Sequence, residues 1–134
     1  MGVDMVSFTG STNNGRRFLR YAADSNLKKV VLGCGGKNPA LVFDDAENID
    51  LVAAHIVNGA FWNMGENCSA ISRLIVHRNV KDEVLAFVQK RLKDWKTGDP
   101  LDPSKHLGAL IDRKHCKKVA GFLNGEAFLG GVME

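Results

Sequence analysis

Phe61-Trp62-Asn63-Met64-Gly65-Glu66-Asn67-Cys68-Ser69-Ala70 is the stretch whose reading decides the fold. On its N-terminal side Ile49, Val52, Ala53, Ile56, Val57, Ala60 and Phe61 recur at i, i+3, i+4, i+7, i+8, i+11 and i+12. That spacing gives one apolar stripe on a 3.6-residue helix. Asp44, Asp45 and Glu47 lead into it and suit the positive end of its dipole. The spacing predicts that the helix ends near Gly65. On the C-terminal side Ser72 to His77 is rich in β-formers and reads as a strand. A cysteine therefore stands where a long helix gives way to a strand. A thiol there can meet a ligand while its backbone stays fixed. The thiolate is the reactive form, and nearby backbone N–H groups favour it. The alternative is a packed thiol, since free cysteine is among the most buried residue types.

Working back from this junction, Ala40 to Phe43 reads as a strand after Pro39, and Lys29 to Leu32 as another. The latter runs into Gly33-Cys34-Gly35-Gly36, where few side chains keep backbone or ligand at a distance. Val3 to Thr9 is a further strand, broken by Gly10-Ser11-Thr12. Ser11 or Thr12 can cap a helix over roughly residues 13–25, with Phe18, Leu19, Ala22 and Tyr21 as its buried side. Strand, glycine turn and capped helix together offer free N–H groups to an anion.

Working forward, Val80 to Trp95 is a second amphipathic helix, with Val84, Phe87, Val88, Arg91, Leu92 and Trp95 on or beside one stripe. Gly98-Asp99-Pro100 and Asp102-Pro103 mark a loop. Ile111 to Leu123 is a third helix, closed by Asn124-Gly125. Strands alternating with helices predict an α/β fold, a mainly parallel sheet with flanking helices.

Composition narrows the function classes. The 134 residues suit about one domain, and 45% apolar with 25% charged residues is ordinary for a globular protein. Eighteen basic and 15 acidic residues leave a net charge of +3, too balanced to suggest nucleic acid. No apolar run approaches a membrane span, and the N-terminus lacks the charged-then-apolar pattern of a signal peptide. Cys34, Cys68 and Cys116 are odd in number and show no CxxC spacing, so neither a disulfide framework nor structural zinc is expected. A reducing cytoplasm is the natural compartment. His106, His115 and Cys116 match no metal-ligand template.

Several motifs in order resemble the NAD(P)-dependent aldehyde dehydrogenases. Phe8-Thr9-Gly10-Ser11-Thr12, with Gly15, is similar to the family's FTGSTxxG turn. Gly35-Gly36-Lys37-Asn38-Pro39 is similar to the end of its LELGGKNP segment. Residues 65–74 resemble its GQxCxAxxRL nucleophile segment, and the tail from Gly125 resembles a GAxxxxGG run. The resemblance implies a partial aldehyde dehydrogenase-like domain. Residues 1–32 would end the dinucleotide-binding domain, and 33–134 would be part of the catalytic domain. It implies that Cys68 attacks an aldehyde carbonyl, that hydride passes to NAD or NADP, and that the resulting thioester is hydrolysed. Gly10, Ser11 and Cys34 become the candidate cofactor contacts, with no metal.

Two departures qualify these expectations. The family's general base, a glutamate two residues before Gly-Gly, is replaced by Gly33. Losing a positioned base costs roughly 10²–10⁴-fold. Glu66, two residues before Cys68, is the nearby carboxylate that could substitute, at a position where the family usually has glutamine. Family members are also several times longer. The expectation is a piece lacking the first half of the cofactor sheet, part of the oxyanion hole and the oligomerisation strands, and inactive alone. The alternative is a non-catalytic product that self-associates through exposed sheet edges into a homo-oligomer, with at most residual thiol esterase activity. The Asp94–Pro103 loop resembles members that oxidise aminoaldehydes from polyamine breakdown.

Overall fold

The computed structural model describes residues 2–123. The chain divides into two compact units, Met1–Asp94 and Trp95–Glu134.

The first unit holds the four strands found among the described residues. β1 (Met5–Thr9), α1 (Thr12–Ala23) and β2 (Lys29–Gly33) form a strand–helix–strand segment. β1 and β2 pair in parallel, from Met5 against Lys29 to Thr9 against Gly33. Ser11 caps α1, its hydroxyl accepting from the Asn14 N–H at 3.3 Å. Gly15 and Ala22 are the buried residues of α1, and Phe18 packs on Phe8 with ring centroids 4.5 Å apart. Leu19 and Tyr21, expected on the buried side, are 51% and 62% exposed. A two-stranded sheet is too narrow to cover more than the Gly15–Phe18–Ala22 side.

β3 (Asn38–Val42), α2 (Ile49–Phe61), β4 (Ile71–Val76) and α3 (Lys81–Leu92) follow. β3 and β4 are also parallel, with a register irregularity between Asn38 and Pro39. The expected fold class, α/β with a mainly parallel sheet and flanking helices, is the observed one, its strands lying in two parallel pairs. The core of this half is aliphatic. Val42, Ile56 and Val84 are buried together, with Ile49, Val52, Leu74, Val76 and Val88 packed around them. The opposite face of the same strand pair is bare: Leu41, Phe43 and Ile75 are 58%, 62% and 54% exposed. Parallel sheets normally carry cover on both faces.

Two helix ends differ from the periodicity. α2 stops at Phe61, and a 3₁₀ turn, Trp62–Gly65, replaces the expected last α-turn. Asn63, Met64 and Gly65 have φ of 52°, 57° and 71°, which an α-helix cannot accommodate. α3 ends at Leu92 and does not reach Trp95.

In the second unit Trp95 stacks on His106 with ring centroids 5.1 Å apart. Thr97 and Leu107 form an isolated parallel bridge. In the loop between them, the Ser104 backbone and hydroxyl stabilise the Asp102 carboxylate and lower its pKa below the ordinary value of 3.8. α4 spans Arg113–Leu123. It begins two residues after the expected Ile111 because Asp112 caps it, accepting from the His115 N–H at 2.6 Å. The expected helix stop at Asn124-Gly125 and the GAxxxxGG-like tail lie outside the described residues. Among the described residues no helix is long and apolar enough to cross a membrane.

Candidate active site

The turn after α2 and the glycine run after β2 meet around an open cleft of about 530 Å³ in the first unit. Three separate stretches wall it. Thr9 and Gly10 come from the end of β1, Gly33 to Lys37 supply all but Cys34 of the second wall, and the third holds Asn63, Gly65, Glu66, Asn67, Cys68, Ala70 and Ser72.

Absent side chains set the closeness of these walls. A Cβ on Gly36 would collide with the Cys68 carbonyl oxygen and lie 3.0 Å from Asn38 Nδ2. A Cβ on Gly10 would come 2.6 Å from the Phe8 ring. The β2–β3 connection can therefore lie directly against the Cys68 backbone only with glycine at position 36. Asn38 completes the joint, its Nδ2 donating to the Cys68 carbonyl at 2.9 Å. Arg73 braces it from β4, with Nη1 donating to the Lys37 carbonyl at 3.1 Å. These are local contacts between sequence-distant residues, and they fix the backbone on which the thiol stands.

Cys68 is exposed, and its Sγ lies 3.8 Å from Asn67 Oδ1. It lines the cleft with Gly10 and Gly33, so three of the sequence-derived candidates meet. The other two do not line it. The Ser11 hydroxyl is engaged in capping α1. Cys34 sends its sulfur towards α1, where a Cβ on Gly15 would lie 2.7 Å from it. Its carbonyl accepts from Thr12 Oγ1 at 3.4 Å. Gly33 closes β2 opposite Thr9, and its carbonyl accepts from the Gly10 N–H at 3.0 Å. Phe61, Trp62 and Met64, on the same stretch, do not line the cleft. Asn38, Asn63 and Arg73 were missed as site-builders. The signal available was their place inside or beside the quoted motifs, but not which backbone atom they hold.

The cleft suits a phosphate-bearing dinucleotide in two respects. Its walls at Gly10, Gly33, Gly35 and Gly36 leave backbone open to close approach. Gly10 also adjoins the N-terminus of α1, which has no acidic residue in its first turn. Among the described residues no group of three His, Cys, Asp or Glu side chains is gathered for a metal ion.

Residues 1–130 match the family described as "Aldehyde dehydrogenase family". The chain belongs to the aldehyde dehydrogenase family. It is 62% identical over 122 residues to the aminoacetaldehyde dehydrogenase of Pseudomonas aeruginosa, a match covering 91% of this chain and 25% of that protein. The crystal structure of gamma-glutamyl-gamma-aminobutyraldehyde dehydrogenase from Burkholderia cenocepacia superposes with a TM-score of 0.87 at 41% identity, covering 91% of this chain and 25% of that one. The indole-3-acetaldehyde dehydrogenase AldA of P. syringae, solved in complex with NAD+, gives a TM-score of 0.83 at 41% identity, covering 93% and 26%. The chain thus spans about a quarter of the length of the aldehyde dehydrogenases it matches.

Proposed function

We propose that this chain carries the nucleophile of an NAD(P)-dependent aldehyde dehydrogenase, with Cys68 as the attacking residue. One convergence supports the reading: Cys68 shares a single cleft with Gly10, Gly33 and Gly36, brought from motifs far apart in sequence. The Cys68 sulfur adds to the aldehyde carbonyl carbon, forming a C–S bond and a thiohemiacetal. The Cys68 N–H contributes to holding the developing oxyanion, on a backbone already fixed by Asn38. A bound nicotinamide dinucleotide would supply the acceptor for the hydride lost from the thiohemiacetal C–H, and a thioester would remain on Cys68. Gly10 and the N-terminus of α1 would hold its pyrophosphate, and the glycine run at 33–36 would admit its nicotinamide end. Ser11 contributes through the cap that forms that helix end, and Cys34 through its backbone. Residues 1–32 act as the end of the cofactor domain and 33–134 as part of the catalytic domain.

An aminoaldehyde is the proposed substrate class, supported by the names of the Pseudomonas and Burkholderia relatives. Three free cysteines suit a reducing, cytoplasmic setting.

Gly33 has no carboxyl group, so it cannot activate the water that clears acyl-Cys68. With a quarter of its relatives' length, the chain alone is expected to give no sustained turnover. Iodoacetamide is the direct probe of the nucleophile. The expected result is faster labelling at Cys68 than at Cys34 or Cys116, lost in Cys68→Ala. Equal, slow labelling at all three would return Cys68 to a packing role. Incubation with an aminoaldehyde and NAD, followed by NADH absorbance, should show no multiple turnovers.

A second reading is favoured by the bare Leu41–Phe43–Ile75 face: alone, the chain self-associates there or along its strand edges. A strict monomer in sedimentation at tens of micromolar protein would remove it.

A further inference from the structure

We infer that Glu66 is the base that clears acyl groups from Cys68, an inference that rests on the Cys68 reading above. Gly33 brings no proton acceptor to the cleft. Among the described residues lining it, the ionisable ones are Lys37, Glu66 and Cys68, and Glu66 is the only carboxylic acid. The Lys37 ammonium has no lone pair to take a proton, and it donates to the Gly36 carbonyl at 3.0 Å. Cys68 is itself acylated at this stage. Glu66 is left.

The backbone puts Glu66 on the same wall as Cys68 by an unusual route. Asn63, Met64 and Gly65 are consecutive left-handed residues, with φ of 52°, 57° and 71°. Such conformations are unfavourable for Asn and more so for Met, and persist where the surroundings impose them. Glu66 then caps the 3₁₀ turn, its N–H donating to the Asn63 carbonyl at 3.0 Å. A plain continuation of α2 would carry residues 63–66 round the helix surface. With the left-handed turn, Asn63, Gly65, Glu66 and Cys68 all line the cleft.

In the step, the Glu66 carboxylate takes a proton from water as the water oxygen bonds to the thioester carbonyl carbon. The tetrahedral intermediate collapses with cleavage of its C–S bond. The thiolate leaves, and the proton held by Glu66 passes to sulfur or solvent. One water is consumed, and one carboxylic acid and one free thiol are formed.

The experiment uses the 134-residue chain and p-nitrophenyl acetate, which acylates a thiol without a dinucleotide. The nitrophenolate burst reports acetylation of Cys68, and intact-mass spectrometry follows loss of the acetyl group. Glu66→Gln should keep the burst amplitude and slow deacetylation by roughly 10²-fold. A full burst with unchanged deacetylation in Glu66→Gln overturns the role of Glu66 alone. Absence of a burst from the parent chain, or its survival in Cys68→Ala, overturns the Cys68 reading and this inference with it.

Discussion

The β1–α1–β2 segment and the β3–α2–β4–α3 segment each contain one parallel strand pair, yet they are held together by different means. In the first, close approach does the work. Gly15 lets α1 sit against Cys34, Phe8 meets Phe18, and Leu19 and Tyr21 face outward. In the second, an aliphatic core around Val42, Ile56 and Val84 fixes two helices on one face of the strands. The first segment contributes Thr9, Gly10 and Gly33 to the cleft, and the stretch between α2 and β4 in the second contributes Glu66 and Cys68. The proposed nucleophile thus stands on the cored segment, and the glycine-lined wall proposed for a cofactor stands on the other.

Removing core volume is the strongest way to break this contrast. Ile56→Ala should cost about 2–5 kcal/mol, because Ile56 is 7% exposed and touches the centre of the cluster. Phe18→Ala, a larger truncation at a half-buried site, should cost less. Urea unfolding of both variants checks the order. A greater loss at Phe18 would mean that the first segment, not the second, dominates the stability of the unit.

Adding a single methyl group where the two segments' walls meet should have a smaller effect on stability but a sharper one on the site. Gly36→Ala drives its Cβ into the Cys68 carbonyl, a backbone atom that cannot rotate away. A cost of about 1–3 kcal/mol is expected, as for other overpacked positions. Slower iodoacetamide labelling at Cys68 should accompany it, because the Asn38 bond to that carbonyl must shift. Gly15→Ala is the matching change in the first segment. It meets side-chain atoms, the Cys34 sulfur and the Leu32 methyl groups, and no backbone, so it should cost less and leave the labelling rate at Cys68 alone.

Much of this was legible in the sequence because periodicity and turn chemistry are local. The i, i+3, i+4 stripe located α2, and Ser11 announced the cap of α1. The motifs located Gly10, Gly33 and Cys68, which the fold brings together. The misses have physical reasons. Leu19 and Tyr21 look amphipathically buried, but burial depends on how wide a sheet the helix meets. The end of α2 was read too late because Trp62 and Met64 extend the apolar pattern. The left-handed dihedrals at Asn63 and Met64 are conformations that neither residue's propensity favours. Trp95 fits the stripe of α3 and instead stacks on His106. Ser11 and Cys34 were chosen by motif, and motif membership does not say which way a side chain points.

The smallest expected effect concerns what keeps α3 on α2. Arg91, in the last turn of α3, donates from Nη2 to Asp50 Oδ2 at 2.6 Å and from Nε to Asp50 Oδ1 at 3.1 Å. Its Nε also reaches the Asp50 carbonyl at 3.1 Å. The two-pronged geometry is favourable, but the side chains are 37% and 46% exposed. Solvent screens such a pair, so Arg91→Ala should cost no more than about 1 kcal/mol, and less in high salt. Val84, fully buried, and Val88 would still anchor the helix. Denaturant unfolding at low and high ionic strength separates the two contributions. A loss matching Ile56→Ala and insensitive to salt would show that the ion pair, not the aliphatic core, holds α3 in place. The cored mount for Cys68 would then depend on a surface contact, and the contrast between the two segments would narrow accordingly.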